Sequence, residues 1–289
     1  MTDVLPVPDT AAGTRQAGAV TMALSGQLCL HAGAALATVL IPMIGGPATV
    51  GLRLGLSAVV LLAVCRPALR GRTRADWAVV IAFGATLAAM NMLFYEAISR
   101  VPLGAAVTIE FLGPLVLSVV AARGAARWLW AALALGGVAL LGRDGIGGIN
   151  LVGGAFALAA GALWAAYIVL SQRTGGRFAR LDGLALAMVV ATAISVPIGL
   201  VTAGPGVFSP AVLGMGAAVA LLSSLIPYVF ELTALRRLRA ASFAILMSLA
   251  PALAAVAGFV LLGQRLDPLE GVAIALVVAA SVGAVRARA

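Results

Sequence analysis

Three ionisable side chains fall inside long apolar runs of the sequence, where a charged group is costly. Arg53 lies six residues into the second run, Glu110 eight residues into the fourth, and His31 near the middle of the first. A charge at the centre of a bilayer costs at least about 2.5–3.5 kcal/mol, so such residues are typical of substrate and ion pathways. A carboxylate binds an ammonium group or a proton, a guanidinium binds a carboxylate, and a neutral imidazole accepts a proton or a hydrogen bond.

Arg53 and Glu110 are predicted to lie at similar depths from the same side of a membrane. At the rise of an α-helix they are about 9 Å and about 12 Å from the ends of their runs. We interpret them as a functional pair near a substrate path; a buried structural ion pair is the alternative. His31 is interpreted either as a proton acceptor or substrate partner, or as a polar residue bonded to a neighbouring helix.

Neutral polar and aromatic side chains are concentrated in the first, third, fourth, sixth and eighth runs. Any one of them is more often a helix-to-helix hydrogen bond than a ligand contact, but together they predict a polar cavity. A tryptophan in mid-run, such as Trp164, is unusual because tryptophan prefers the membrane interfaces; core packing is the alternative. These candidates are Gln27, Thr38, Asn91, Tyr95, Thr108, Trp164, Tyr167, Ser223, Ser224 and Tyr228.

Two further glutamates lie near the ends of their runs. Glu96 precedes Arg100 by four residues, a spacing that favours an ion pair on a helix surface, so this pair is predicted to be solvated or interfacial. Glu231 is close to Arg236 and Arg237, and by depth alone it is also predicted to be interfacial.

The composition is that of a membrane protein. Hydrophobic residues make up 63% of the 289 residues and charged residues 10%, against about 45–50% and about 25% in soluble domains. The runs are of the length that a bilayer-spanning helix requires, and the two cysteines have no disulfide or metal-binding spacing. The sequence therefore predicts an all-α polytopic membrane protein, with a tail at 1–16 and ten helices near 17–41, 47–65, 77–99, 102–122, 127–142, 151–173, 182–203, 210–235, 241–262 and 268–286.

The positions of the basic residues indicate how the chain is oriented in the membrane. The net charge is +9 and all nineteen basic residues are arginines. With the amino terminus inside, fifteen of them fall in inside segments and three in outside loops, as the positive-inside rule requires. This distribution predicts both termini in the cytoplasm, the lipid bilayer as the surrounding partner, and no nucleic-acid partner.

A weak internal repeat relates the two halves of the chain. Five residues between 97 and 119 recur 137 positions later, including Pro114, which recurs as Pro251. Each half, 17–142 and 150–286, holds five runs, and an odd number of spans inverts the second half in the membrane. Glu110 breaks the repeat, because Met247 occupies the matching position.

Seven short segments of the chain occur in a characteristic order and spacing: GLRLG at 51–55, NMLFY at 91–95, VPLGA at 101–105, EFLGP at 110–114, WAAY at 164–167, IPY at 226–228 and LMSLAPALAA at 246–255. With these segments the chain resembles the EamA-type branch of the drug/metabolite transporter superfamily, and within it the threonine and homoserine exporters of bacterial inner membranes. The resemblance covers roughly residues 20–285. It implies ten helices in two inverted five-helix repeats around a central cavity, efflux of small metabolites and a location in the inner membrane. It also gives weight to Arg53, Glu110 and Glu231 as matched positions.

Two departures from these relatives limit what the resemblance implies. The relatives often carry glutamate before the proline of the ninth helix and again just after the glycine at its end, where this chain has Ala250 and Gln264. We therefore expect no proton-coupling or gating role from those two positions.

The sequence predicts a secondary transporter that exports small neutral amino acids such as threonine or homoserine by alternating access. Coupling to protons is a hypothesis that rests on Glu110 and His31. No cofactor or metal is expected, and an enzyme is disfavoured because the loops offer mainly arginines. A broader drug or metabolite exporter is the alternative within transport; a non-transporting membrane scaffold or receptor is the alternative outside it.

Overall fold

Helices make up the regular structure of the protein. The computed structural model describes residues 10–121, 126–141, 150–179, 181–235, 240–265 and 267–286, and every regular element in these ranges is helical. There is one described 3₁₀ segment, Gly204–Phe208, and one described π-helical segment, Leu221–Leu225. The α-helices are α1 (Thr10–Ile44), α2 (Gly46–Cys65), α3 (Arg74–Ile98), α4 (Leu103–Glu110), α5 (Leu112–Ala121), α6 (Ala126–Leu141), α7 (Leu151–Gly175), α8 (Asp182–Ala203), α9 (Pro210–Ala220), α10 (Ile226–Leu235), α11 (Ala240–Met247), α12 (Ala250–Leu262) and α13 (Pro268–Arg286).

Six helical stretches of the described chain are long and apolar enough to cross a membrane: Gly18–Ile44, Gly46–Cys65, Arg74–Ile98, Leu151–Gly175, Asp182–Ala203 and Ile245–Leu262. Four shorter apolar stretches accompany them: Leu103–Leu117, Trp128–Leu141, Pro210–Leu225 and Pro268–Gly283. Large apolar side chains such as Val64, Val120 and Val201 are exposed on the outside of the bundle. That surface suits lipid, so the chain is a multi-pass membrane protein.

Two predicted helices are interrupted in the structure, each four residues before a proline. The predicted helix at 102–122 is divided at Phe111 into α4 and α5, and the one at 241–262 is divided after Met247 into α11 and α12. A proline lacks the N–H that the carbonyl four residues earlier would accept. Pro114 and Pro251 therefore leave the carbonyls of Glu110 and Met247 without their helical partners, and the helix turns at those points.

The helices pack in pairs that join the two halves of the chain. α2 lies against α8, α3 against α7, α6 against α13, α10 against α1, and α4 against α12. Several contacts are close enough to need glycine. A Cβ on Gly84 would lie 2.5 Å from the carbonyl oxygen of Ala187, and one on Gly33 would lie 2.8 Å from the nitrogen of Ser223.

Side-chain caps fix where several helices begin. Thr73 Oγ1 accepts a hydrogen bond from the Asp76 backbone nitrogen at 3.2 Å, and the Asp76 carboxylate accepts one from the Thr73 nitrogen at 2.9 Å. This reciprocal pair satisfies two backbone donors at the start of α3. The Asn150 and Ser209 side chains likewise accept hydrogen bonds from backbone nitrogens at the starts of α7 and α9. Of these capped helices, α3 and α7 carry residues described next.

Candidate functional site

Arg53 is the centre of a buried polar network that links three parts of the chain. Its side chain on α2 is 8% exposed. Nη1 donates to Asn91 Oδ1 at 2.7 Å and to Tyr95 Oη at 3.3 Å, both on α3. Nε donates to Ser224 Oγ at 3.1 Å and Nη2 to the Ser223 carbonyl oxygen at 2.8 Å, both in the π-helical segment. The network therefore joins the first half of the chain to the second.

The π-helical segment supplies one of these acceptors because of a proline. In an α-helix the Ser223 carbonyl would accept from the nitrogen of residue 227, which is Pro227 and has no N–H. The segment adopts the wider π pattern instead, in which the Ile226 nitrogen donates to the Leu221 carbonyl. π-helical turns of this kind are frequent at functional sites. Here the released Ser223 carbonyl accepts from Arg53.

Asn91 is held so that its oxygen faces Arg53. Its Nδ2 donates to the Leu87 carbonyl at 2.8 Å, which fixes the orientation of the amide. Tyr95 is fully buried, and its ring centre lies 5.8 Å from the Arg53 guanidinium carbon. A guanidinium has five N–H donors, and the four bonds named above leave one of them without an acceptor among the described residues. Arg53 is thus bound by neutral groups alone.

Glu110 is the last residue of α4 and lies at the turn into α5. Its side chain is 8% exposed, and its backbone carbonyl faces Gly161 of α7. In the described part of the chain its carboxylate has no hydrogen-bond or ion-pair partner, and the ion pairs found there are Arg100 with Glu96 and Arg177 with Asp76. The structural ion pair of Arg53 with Glu110, which was the alternative interpretation, is therefore not formed, because Arg53 turns towards α3 and the π-helical segment; the functional pairing stays a prediction. The predicted partly exposed pair of Glu96 and Arg100 is confirmed.

Two aromatic contacts place α7 beside the turn at Glu110. The rings of Phe111 and Trp164 meet edge to face with centroids 5.5 Å apart. Tyr167, one turn further along α7, packs on Phe83 of α3 with centroids 5.1 Å apart. Trp164 thus lies next to the residue that follows Glu110, and Tyr167 contacts the helix that carries Asn91 and Tyr95. Phe111 had no role in the sequence prediction, and only its position next to Glu110 pointed to it.

Gln27 and His31 lie one turn apart on α1 and are both buried. Gln27 Nε2 donates to Met247 Sδ at 2.8 Å, and Gln27 Oε1 has no partner among the described residues. His31 is 4% exposed, and its Nε2 likewise has no partner in the described part of the chain. Met247 was not predicted as a contact, although the repeat already marks it as the position that matches Glu110.

Further positions that the sequence analysis discussed are two residues of α10, the two cysteines and Gln264. Tyr228 and Glu231 belong to α10, but their side chains lie outside the described part of the structure. Cys29 and Cys65 are free thiols, as predicted. Gln264, at one of the two positions where this chain departs from its relatives, has a structural contact: its Oε1 accepts from the Leu103 nitrogen at 3.1 Å and so caps α4.

Comparisons with known proteins agree with the fold and the composition. Residues 151–286 match the EamA-like transporter family. The chain is 38% identical over 267 residues to the threonine/homoserine exporter RhtA of Escherichia coli strain K12, which covers 91% of this chain and 90% of that protein. It is 39% identical over 257 residues to the threonine/homoserine exporter RhtA of Salmonella typhimurium strain SL1344, with 88% and 86% covered.

A solved crystal structure also shares the fold. It superposes with a TM-score of 0.63, covering 92% of this chain and 97% of that chain, at 21% sequence identity. At this level of identity the match concerns the fold alone.

Proposed function

Because the chain belongs to the EamA-like transporter family that includes the threonine/homoserine exporters, we propose that it exports small neutral amino acids, with threonine and homoserine as the first candidates. It does so across the inner membrane with both termini in the cytoplasm. The similarity to exporters supports the activity, and the arginine-rich segments on one side support the orientation.

The observation that carries the proposal is that a buried arginine and a buried glutamate form no direct ion pair with each other among the described residues. Arg53 is bound by neutral groups, and the Glu110 carboxylate has no partner among the described residues. An isolated buried charge is costly and calls for a counter-charge. A neutral amino acid is a zwitterion and brings both. In the proposal its carboxylate accepts from the free N–H of Arg53, and its ammonium group donates to Glu110.

The helix pairings support transport by alternating access. α3 packs on α7 and α10 packs on α1. α2 and α6 pack on their counterparts α8 and α13, and α4, in the fourth predicted span, packs on α12, in the ninth. This is the pattern expected if the ten predicted spans form two repeats related by a two-fold axis in the membrane plane. In the proposal the repeats rock against each other. The turns at Glu110 and Met247, 137 residues apart, serve as matched hinges.

Proton coupling is a further part of the proposal. Glu110 is the buried carboxyl that the substrate ammonium would meet, so a proton and the substrate compete for the same oxygen atoms. Protein reconstituted in liposomes should then transport labelled threonine faster when a pH gradient is imposed. Equal rates with and without the gradient remove the coupling and leave the export activity intact.

The charge assignment is tested by two matched substitutions. Glu110→Gln removes the buried carboxylate and keeps its shape, whereas Glu96→Gln makes the same change at the partly exposed pair with Arg100. A hydrogen bond to a charged group contributes about 1.5–3 kcal/mol, so Glu110→Gln should lower threonine affinity about 10- to 150-fold.

Glu96→Gln should stay close to wild type, because such surface pairs contribute about 0.3–0.5 kcal/mol. Wild-type affinity in Glu110→Gln contradicts the role of that residue. Export of cationic dyes in place of amino acids by the wild-type protein would favour a broader drug exporter.

A further inference from the structure

Gln27 is a buried amide whose hydrogen-bonding capacity is poorly used. Its Nε2 donates to the sulfur of Met247 at 2.8 Å, and a thioether is a weak acceptor. Its Oε1 is buried and has no partner among the residues that the structure describes. Buried polar groups in native proteins are nearly always bonded, and those that are not call for an explanation. An apolar residue of the same length would fill this place without that cost, so the amide has a use other than packing.

His31 presents a second unsatisfied group beside it. It follows Gln27 by four residues on α1, and residues with this spacing share a helix face. Within the described residues its Nε2 is buried and without a partner, as is Gln27 Oε1. Two unsatisfied buried polar atoms one turn apart match a small polar group of a ligand better than two independent accidents of packing.

The two side chains lie near the level of the proposed binding site for the substrate carboxylate along α1. Gly33, two residues beyond His31, is in contact with Ser223, whose carbonyl oxygen accepts from Arg53. Along the axis of α1, His31 is therefore about 3 Å and Gln27 about 9 Å from the level of that contact. Residues two apart on a helix do not share a face, so His31 lies on a different face of α1 from Gly33. Gln27 contacts Met247, at the turn that matches the turn at Glu110. A short amino acid held by Arg53 would have to extend its side chain to this second face of α1.

We propose that Gln27, with His31 beside it, binds the side-chain hydroxyl of the transported amino acid and selects hydroxylated substrates. The proposal rests on the proposed function. A hydroxyl group both donates and accepts, so it can donate to Gln27 Oε1 and accept from the second N–H of Nε2. An amino acid of the same shape without the hydroxyl leaves these groups unpaired. Sites built to bond a hydroxyl reject such analogues far better than apolar pockets reject a change of size.

Threonine and valine form the test pair, because valine has a methyl group where threonine has the hydroxyl. Binding of labelled threonine to the purified full-length protein is measured with unlabelled threonine or valine as competitor. Gln27→Met keeps the length of the side chain and removes its amide. The preference for threonine over valine should fall about 3- to 10-fold, the equivalent of one neutral hydrogen bond, while valine affinity changes less than about 2-fold.

A matched control makes the same change elsewhere. Gln172→Met replaces an exposed glutamine near the end of α7 and should leave both affinities at wild-type values. Gln27→Leu is a second apolar replacement and should give the same loss of preference. The thermal midpoints of both Gln27 variants should equal or exceed that of the wild type, since an unsatisfied buried amide has been removed.

The outcomes separate the selection of hydroxyl groups from the export of amino acids. If Gln27→Met lowers threonine and valine affinity in parallel, or lowers the thermal midpoint, the amide serves packing or binds an ordered water, and the inference is wrong. An unchanged preference also overturns it. In both cases threonine binding by the wild type upholds the proposed function. If the wild type binds neither amino acid, the proposed function and the inference fail together.

Discussion

Gly161 is the position where one added methyl group should disturb the proposed site most directly. It lies on α7 against the turn between α4 and α5. A Cβ there would overlap the carbonyl oxygen of Glu110 and lie 3.1 Å from its carbonyl carbon and 3.2 Å from its Cα. A Cβ on Gly113, just after the turn, would overlap the Gly161 carbonyl oxygen even more closely. All these atoms are backbone, so no side-chain rotation relieves the overlap. Gly161→Ala must move the segment that carries Glu110.

The expected loss of stability in Gly161→Ala follows from two opposing effects. Overpacking a well-packed interior costs about 1–3 kcal/mol, while alanine is favoured over glycine within a helix by about 0.5–1 kcal/mol. Gly136→Ala on α6 isolates the second effect, because a Cβ at Gly136 would meet no atom within 4 Å. The propensity gain cancels between the two variants. Gly161→Ala should therefore be less stable than Gly136→Ala by the full overlap, about 1–3 kcal/mol.

Thermal unfolding and threonine binding measure the two consequences of Gly161→Ala. With about 2–4 °C for each kcal/mol, Gly161→Ala should unfold about 2–12 °C below Gly136→Ala, and its threonine affinity should fall because Glu110 is displaced. Gly136→Ala should bind threonine as the wild type does. If the two variants unfold at the same temperature and bind threonine equally, then the close contact between α7 and the turn is not needed, and the reasoning is refuted.

Two further substitutions test the network around Arg53. Arg53→Lys keeps the charge but places all donors on one nitrogen, which cannot reach both Ser224 and Asn91. Threonine affinity should fall at least about 10-fold by the loss of one bond to a charged group, and a wild-type value in the competition assay would contradict this. Pro227→Ala restores an N–H that can bond the Ser223 carbonyl, so it should weaken threonine binding in the same assay while leaving the thermal midpoint equal or higher. An unchanged affinity would show that the π-helical turn is not needed for the site.

The sequence was sufficient to predict the bounds of a helix where a helix-starting residue is followed by a long apolar run. The predicted helices at 182–203 and 268–286 coincide with α8 and α13, because each begins at a charged residue or a proline and continues with mainly apolar residues. The interruptions within the predicted helices at 102–122 and 241–262 were not predicted, although Pro114 and Pro251 were identified as matched positions of the repeat. Their position follows from the carbonyl that each proline leaves free, which lies four residues earlier in the chain.

The partners of Arg53 illustrate the limit of prediction from depth. Counting residues along each helix predicts that Arg53 and Glu110 lie at similar depths in the membrane. It does not predict the direction in which either side chain points. That direction depends on which helix lies alongside. The Arg53 guanidinium is drawn to Asn91 and to the Ser223 carbonyl. The Ser223 carbonyl is available only because Pro227 changes the helix type. A local change in the backbone thus determines a contact between distant parts of the chain.

The two matched turns differ in what they place at the proposed site. α4 and α11 begin 137 residues apart and end 137 residues apart, at Glu110 and Met247. The same offset relates Trp164 to Gln27. The first turn sets an acidic residue beside an aromatic wall, and the second sets a thioether beside an amide. If the repeats exchange conformations during transport, the backbone motion can be symmetric while the chemistry is not: the ammonium group stays with the first turn, and Gln27 of the same half, beside the second turn, binds the side chain. Selection of the substrate is then needed in only one half, which leaves the other free to keep the geometry of the hinge.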